Sequence, residues 1–483
     1  MKSVDEDGTN QGKWWAMTGI GLGVFMATID VSIVNISLPT LVRQLHTDFA
    51  TVQWVVISYV LMLTSFMLTV ARLGDMIGKK QVCMTGVTLF TLASILCGLS
   101  PGAGWLIAFR ALQGLGGSMM QAVGMAIIIE IFPSSERGRA LGIIGGIVSV
   151  GLAMGPPLGG MLIGLAGWRS IFLVNVPLGL ITAAVVGRYV HLPPVAGARP
   201  RFDLAGAMIL LVTLACYALG MTLGQRFHFQ DFRVLMLLGG SAAGLGLFIT
   251  VESRVCQPMI DLGLFKNVLF SLNLVMGFLS FMANAGIFVI PFFLQMVMGY
   301  STTQVGLMLM VIPMGMGLAA PWAGILSDRF GPRGISLIGL LVISAGCLAI
   351  SCLHPGLGVT GLVLRMFPLG IGMGIFQSPN NSAIMGEVPR HHLGVASGLL
   401  GLSRTLGNTS GIPLIGALFT VMALNGASPG PGFDITTAPA VALVRGISGT
   451  FRISALIIFA AAGLSAVAFL MDRRRKAAGQ PAA

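Results

Sequence analysis

The sequence predicts an all-α integral membrane protein of fourteen transmembrane helices: two six-helix bundles plus two inserted helices. Three observations carry that reading. Of 483 residues, 55% are hydrophobic and 9% charged, with a mean hydropathy of +0.90, whereas a soluble chain carries roughly a quarter charged residues. Apolar runs of about 20 residues, long enough to cross a bilayer as helix, recur along the chain. One ten-residue pattern also occurs twice, 253 residues apart.

Taken in order, apolar runs fall near 14 to 38, 51 to 71, 80 to 100, 104 to 131, 139 to 165 and 169 to 189, a first bundle within residues 1–190. The N-terminal KSVDEDGTNQGK has no basic stretch or cleavage site, so the first span is expected to stay attached. The polar linker HLPPVAGARPRFD, two runs near 203 to 224 and 232 to 252, and the amphipathic ESRVCQPMIDLGLFKN make a middle section, 191–267. Runs near 268 to 297, 302 to 327, 334 to 353, 357 to 386, 393 to 423 and 449 to 471 complete a second bundle within 268–483, which ends in the basic tail Arg473, Arg474, Arg475 and Lys476.

The formal charge of +12 does not point to nucleic acid, because the bases sit between apolar runs rather than on one patch. With the N-terminus in the cytoplasm, 19 bases lie on the cytoplasmic side and 6 on the other. That positive-inside bias puts both termini in the cytoplasm. Arg110, Arg365 and Arg404 are left inside spans 4, 12 and 13. The six cysteines lie in or beside apolar segments without CxxC spacing, so neither a disulfide framework nor a metal site is expected.

The repeat pairs ARLGDMIGKK at 71–80 with GILSDRFGPR at 324–333, with an acid fifth, a glycine eighth and a base tenth. Arg110 with Gly114, Gly116 and Gly117 is echoed by Arg365 with Gly370, Gly372 and Gly374. Two homologous halves with a pair of helices inserted between them account for both offsets.

From Gly142 to Gly160 the chain reads GIIGGIVSVGLAMGPPLGG. On a helix Gly151, Gly155 and Gly159 form one bare stripe that another backbone can approach closely, and Pro156 and Pro157 remove N–H donors beside it. The whole pattern, from Gly142 through Gly151, Gly155, Pro156, Gly159 and Gly160, resembles the antiporter motif in the fifth span of proton-coupled exporters of the major facilitator superfamily. Stretches 71–80 and 324–333 resemble that superfamily's loop between spans 2 and 3 and its second-half copy. The resemblance implies a cytoplasmic charge network, for which the candidates are Asp75 with Lys79 and Lys80, Glu130 with Arg137, and Asp328 with Arg329 and Arg333; local helix capping is the alternative. Ala71 and Met76 depart from the usual glycine and arginine. RALQG at 110–114 resembles the fourth-span motif, whose arginine is tied to proton transfer. Asp30 in span 1, WRSIFLVNVPLG at 168–179 and FDLAG at 202–206 resemble the fourteen-span drug:proton antiporter branch, with Trp168 and Arg169 expected at the outer interface.

An acid within a span costs about 3 kcal/mol or more unless it faces a cavity, pairs with a base or carries a proton. Asp30 lies ~24 Å along span 1 from Trp14, and Arg110 should sit at a similar depth. The two are therefore expected to be partners, with Asn35, Gln113 and Arg404 as further coupling or substrate residues; a permanent structural pair is the alternative. Spans 9, 12 and 13 offer no acid to Arg365 or Arg404. One aspartate with up to three arginines favours neutral, zwitterionic or anionic amphipaths, unless both arginines are bound by backbone carbonyls and nearby amides.

The chain has no GxxxxGK[ST] phosphate loop, so a proton gradient rather than ATP is the expected drive. No enzyme constellation is present either, and no cofactor is expected. The partners implied are a small-molecule substrate, protons and the lipid bilayer, and a monomer suffices. The expected function is proton-coupled export of drugs or other amphipathic molecules by alternating access, with a carrier of one metabolite or vitamin such as riboflavin as the alternative. The short loops suit a bacterial inner membrane.

Overall fold

The computed structural model describes residues 4–133, 137–192, 204–227, 230–255, 262–388, 393–424 and 438–477. Apolar composition and length make the helices. The first group is α1 (Val4–Gln44), α2 (Phe49–Ile77), α3 (Lys79–Gly98), α4 (Ala103–Ile131), α5 (Arg137–Ala166) and α6 (Asn175–Tyr189), the last preceded by a single turn, Ser170–Leu173. The inserted pair is α7 (Leu204–Phe227) and α8 (Phe232–Glu252). The second group is α9 (Val268–Asn284), α10 (Thr302–Leu309, resuming over Val311–Phe330), α11 (Pro332–Ser351), α12 (Val359–Gly386), α13 (Leu393–Ala423) and α14 (Ala440–Ala477). Among the described residues, twelve helices are long and apolar enough to cross a membrane, and shorter apolar segments, Val150–Ala166 and Ala205–Met221, lie within α5 and α7.

Three expected spans are interrupted, each within a turn or two of a proline. Span 6 breaks at Val174, ahead of Pro177; α10 breaks at Met310, ahead of Pro313; and beyond Asn284 α9 gives way to a 3₁₀ turn, Ala285–Val289, and a π turn, Phe293–Val297, on either side of Pro291. A proline cannot donate to the carbonyl four residues back, so the helical ladder is lost locally. In α5 the helix runs on through Pro156 and Pro157.

The internal repeat is legible in the packing. In the first group α4 packs on α2 and α3, and α1 on α5 and α6; in the second α12 packs on α10 and α11, and α9 on α13 and α14. Gly116 lies so close to Phe90 that an added Cβ would sit 2.6 Å from its backbone N; one at Gly372 would sit 2.5 Å from the N of Ile343, which is 253 residues on from Phe90. The repeated turn glycines Gly78 and Gly331 have φ of 107° and 88°. Only glycine adopts that backbone without steric cost, so each ten-residue pattern encodes a sharp helix-to-helix turn. The inserted α7 packs on both α2 and α13, bridging the two groups along one side.

Candidate transport site

Asp30 is the single acid in the membrane run of α1, and it is fully buried. Its Oδ2 is ion-paired with Arg110 Nη1. Its Oδ1 accepts from Gln113 Nε2 at 2.9 Å and from Asn175 Nδ2 at 2.9 Å. Arg110 and Gln113 are three residues apart, hence on one face of α4, and Arg110 Nη1 also donates to Gln113 Oε1 at 2.7 Å. Gln113 Nε2 reaches Ser94 Oγ of α3 at 2.8 Å.

Arg110 is tied to α2 as well. Its Nε donates to Val55 O at 2.9 Å, and its guanidinium lies 4.3 Å from the Tyr59 ring centroid. The Tyr59 hydroxyl in turn donates to Ala27 O of α1 at 3.3 Å. A guanidinium and a carboxylate buried together avoid the full desolvation penalty only when their remaining donors and acceptors are served. Here α1, α2, α3, α4 and α6 all supply partners.

The pairing of Asp30 with Arg110 follows from depth along the two helices; the bonds from Gln113 and Asn175 and the α2 contacts do not. Asn175 is the one amide in span 6, and that solitary polar residue was the available signal. Trp168, expected at the outer interface, is buried just before the turn that precedes α6 and packs edge-on to Phe172. Asn35 is half-buried and makes no hydrogen bond to Asp30. Arg404 does not join the Asp30 cluster: it lies in the second bundle, donating to Asn381 Oδ1 of α12 at 2.7 Å. Arg365 donates to Gly361 O at 3.0 Å.

The glycine stripe of α5 faces α1 of its own bundle, not the other bundle. An added Cβ at Gly151 would meet Thr28 at 3.3 Å, and one at Gly159 would meet Ile33 Cγ1 at 2.6 Å; Gly155 lies on Ser32 and Ile33. Gly142 is within the helix. The second bundle meets a neighbouring face of α5. A Cβ at Gly160 would lie 2.6 Å from Thr302 O and 3.0 Å from Thr303 Cα, and one at Gly306 would lie 3.0 Å from the carbonyl carbon of Pro156. Successive helical residues point 100° apart, so one motif serves two partners.

These α5–α10 contacts lie at the end of the molecule opposite the termini. There Thr303 Oγ1 donates to Gly160 O at 3.1 Å, and Arg43 Nη2 of α1 donates to Gln295 Oε1 at 3.0 Å. Phe49 of α2 stacks with Phe288 at 5.8 Å, meets Phe292 edge-on at 4.8 Å and touches Phe419 of α13 at 6.2 Å, centroid to centroid. The two bundles are thus closed upon each other at that end.

At the end carrying the termini, each repeat is tied by an ion pair. Lys79 pairs with Glu130, and Lys80 Nζ donates to Gly187 O of α6 at 2.8 Å. Arg333, 253 residues after Lys80, pairs with both Glu387 and Asp472. Glu387 also accepts from Asn267 Nδ2 at 2.8 Å, and Asn267 Oδ1 caps α9. The start of α3 abuts the end of α4, so Lys79, grouped with Asp75 from the sequence, also reaches Glu130. The side chains of Asp75, Arg137 and Asp328 lie outside the described residues, and Arg329 is exposed beside the Phe330 ring. Glu387 and Asp472 went unread, although Glu387 follows Glu130 by 257 residues, close to the repeat offset.

Two repeated six-helix groups closed on each other at one end, the first enclosing a buried charge pair, are the architecture of a membrane transporter. Residues 20–412 match the Major Facilitator Superfamily, and the chain belongs to that family. It is 31% identical over 409 residues to a riboflavin transporter, RibZ, of Clostridioides difficile, covering 84% of this chain and 88% of that protein. It is 33% identical over 412 residues to the multidrug resistance protein Stp of Mycobacterium tuberculosis, covering 85% and 76%. Its fold is similar to a bacterial homologue of the human lysosomal transporter Spinster, solved inward-facing and unoccupied, with TM-score 0.66 and 17% identity over 95% of this chain and 97% of that one.

Proposed function

We propose that this chain is a proton-coupled exporter of drugs or other amphipathic organic molecules, of the fourteen-span antiporter type. It works by alternating access in a bacterial inner membrane with both termini in the cytoplasm. The observation that carries the reading is the buried Asp30–Arg110 pair, shared between α1 and α4 and tied through Val55 O and Tyr59 to α2. Protonation of Asp30 converts a neutral pair into a net cation and weakens Arg110's hold on α1 while leaving its bonds to α2. Since α2 packs on α13, a change at Asp30 reaches the seam between the bundles. One charge moved inward across about 100 mV yields about 2.3 kcal/mol, enough to bias the exchange. The α5 face that carries Pro156 and Gly160, set against α10, is the sliding surface, and the Lys79–Glu130 and Arg333–Glu387 pairs brace the cytoplasmic ends of each half.

Reconstituted in proteoliposomes with an imposed pH gradient, Asp30→Asn should bind substrate but lose gradient-driven transport. Full gradient-driven transport by that variant sinks the proposal. Similarity to the riboflavin transporter supports a second reading, a carrier of one vitamin or metabolite. Riboflavin uptake with no change in tolerance of toxic compounds would favour it.

A further inference from the structure

In the second bundle, Arg404 stands on α13 one turn from Gly401, where an added Cβ would meet Met67 of α2 at 3.4 Å. Arg404 therefore lies beside the seam between the bundles. Its guanidinium lies 5.5 Å from the Phe281 ring centroid of α9, and Nη2 donates to Asn381 Oδ1 of α12 at 2.7 Å. Among the described residues that amide oxygen is its one hydrogen-bond acceptor. The membrane runs of α9, α12 and α13 contain no Asp or Glu. Asp30, by contrast, is already spent on Arg110 in the other bundle.

A guanidinium carries five N–H donors in a planar fork and stays charged, and an uncompensated charge at membrane depth is costly enough to mark a functional position. Asn381 orients the fork, and because its Oδ1 faces the arginine, its Nδ2 is turned away as a further donor. Phe281 adds an aromatic wall, and Arg404, Asn381 and Phe281 are all half-buried, so none is sealed within the bundle core.

We infer that Arg404, Asn381 and Phe281 form the seat for the anionic group, a carboxylate or sulfonate, of a transported aromatic amphipath. The inference rests on the chain's being a carrier of amphipathic molecules and assigns the charge of what it carries. The guanidinium fork binds the anion bidentately, the Asn381 amide donates a third bond, and the ring stacks on the substrate's apolar body.

The test uses purified full-length protein in proteoliposomes with two dyes of similar size, fluorescein as anion and ethidium as cation. Binding is read by fluorescence and transport under an imposed pH gradient. Wild type should bind and carry fluorescein; Arg404→Gln should lower its binding and transport about tenfold or more, as expected for loss of a charge-assisted contact, and change ethidium less than about twofold. Asn381→Asp keeps the arginine but supplies an internal carboxylate, and should lower fluorescein transport equally without disturbing the fold. Arg404→Lys, which keeps the charge but not the fork, should fall between. Wild type that fails to bind fluorescein, or variants that alter both dyes alike or neither, would overturn the assignment. Asp30→Asn separates the two ideas: it should abolish the gradient dependence for any carried dye while leaving fluorescein binding intact.

Discussion

Gly160→Ala tests the closure between the bundles at a single atom. The added Cβ would lie 2.6 Å from Thr302 O, 3.0 Å from Thr303 Cα and 3.2 Å from the Thr302 carbonyl carbon, all backbone of α10. No rotamer change relieves such a contact, so α5 and α10 must separate by several tenths of an ångström. Overpacking of this kind costs about 1–3 kcal/mol. The contact joins the bundles only at the closed end, so the cost falls on this conformation and not on one open there. A penalty of that size shifts the equilibrium toward the open form about 5- to 150-fold. Gly151→Ala is the control, since its Cβ would meet the Thr28 side chain at 3.3 Å, a tight contact that lies within one bundle and does not bear on α10. The assay is electron–electron double resonance between spin labels at Gln44→Cys and Met298→Cys in a cysteine-free background. Gly160→Ala should lengthen the interlabel distance and Gly151→Ala should not. An unchanged distribution in Gly160→Ala, or equal opening in both, refutes the reasoning.

The two ion pairs at the end carrying the termini should differ in worth although they occupy matching places in the repeat. The Arg333 side chain is 8% exposed and that of Glu387 7%, so Glu387→Gln should cost about 1–3 kcal/mol by chemical denaturation in detergent, less than a fully stranded charge because Asp472 remains. Glu130, at 39% exposure, should give less than about 1 kcal/mol as Glu130→Gln; equal costs would contradict the burial argument. Gln53 of α2 is buried, with neither Oε1 nor Nε2 partnered among the described residues. Gln53→Leu should therefore raise the unfolding midpoint, by the equivalent of about 1 kcal/mol, and a lowered midpoint would show that the amide has a partner in the working protein.

Local rules made much of this protein legible before any coordinates. Apolar length dictates the helices, because unpaired backbone groups are intolerable in lipid. The offset of 253 residues between the two ten-residue patterns exposed the two halves, and it reappears between Phe90 and Ile343, with their glycine partners Gly116 and Gly372 256 residues apart. Depth along two antiparallel helices was enough to bring Asp30 and Arg110 together. Helix rise is a constant, so distances along a span can be counted from residues. What the amino acids could not disclose was which helix stands beside which, and in what rotation. The stripe of α5 faces α1, Pro156 and Gly160 of that motif touch α10, and Arg404 joins Asn381 instead of Asp30. Glu387 and Asp472 converged on Arg333 from helices far apart in the chain. A glycine or an amide carries the same local signal whichever neighbour it meets. Only the simultaneous packing of the helices chooses the neighbour, because each close approach along one face decides which residues remain free to meet another.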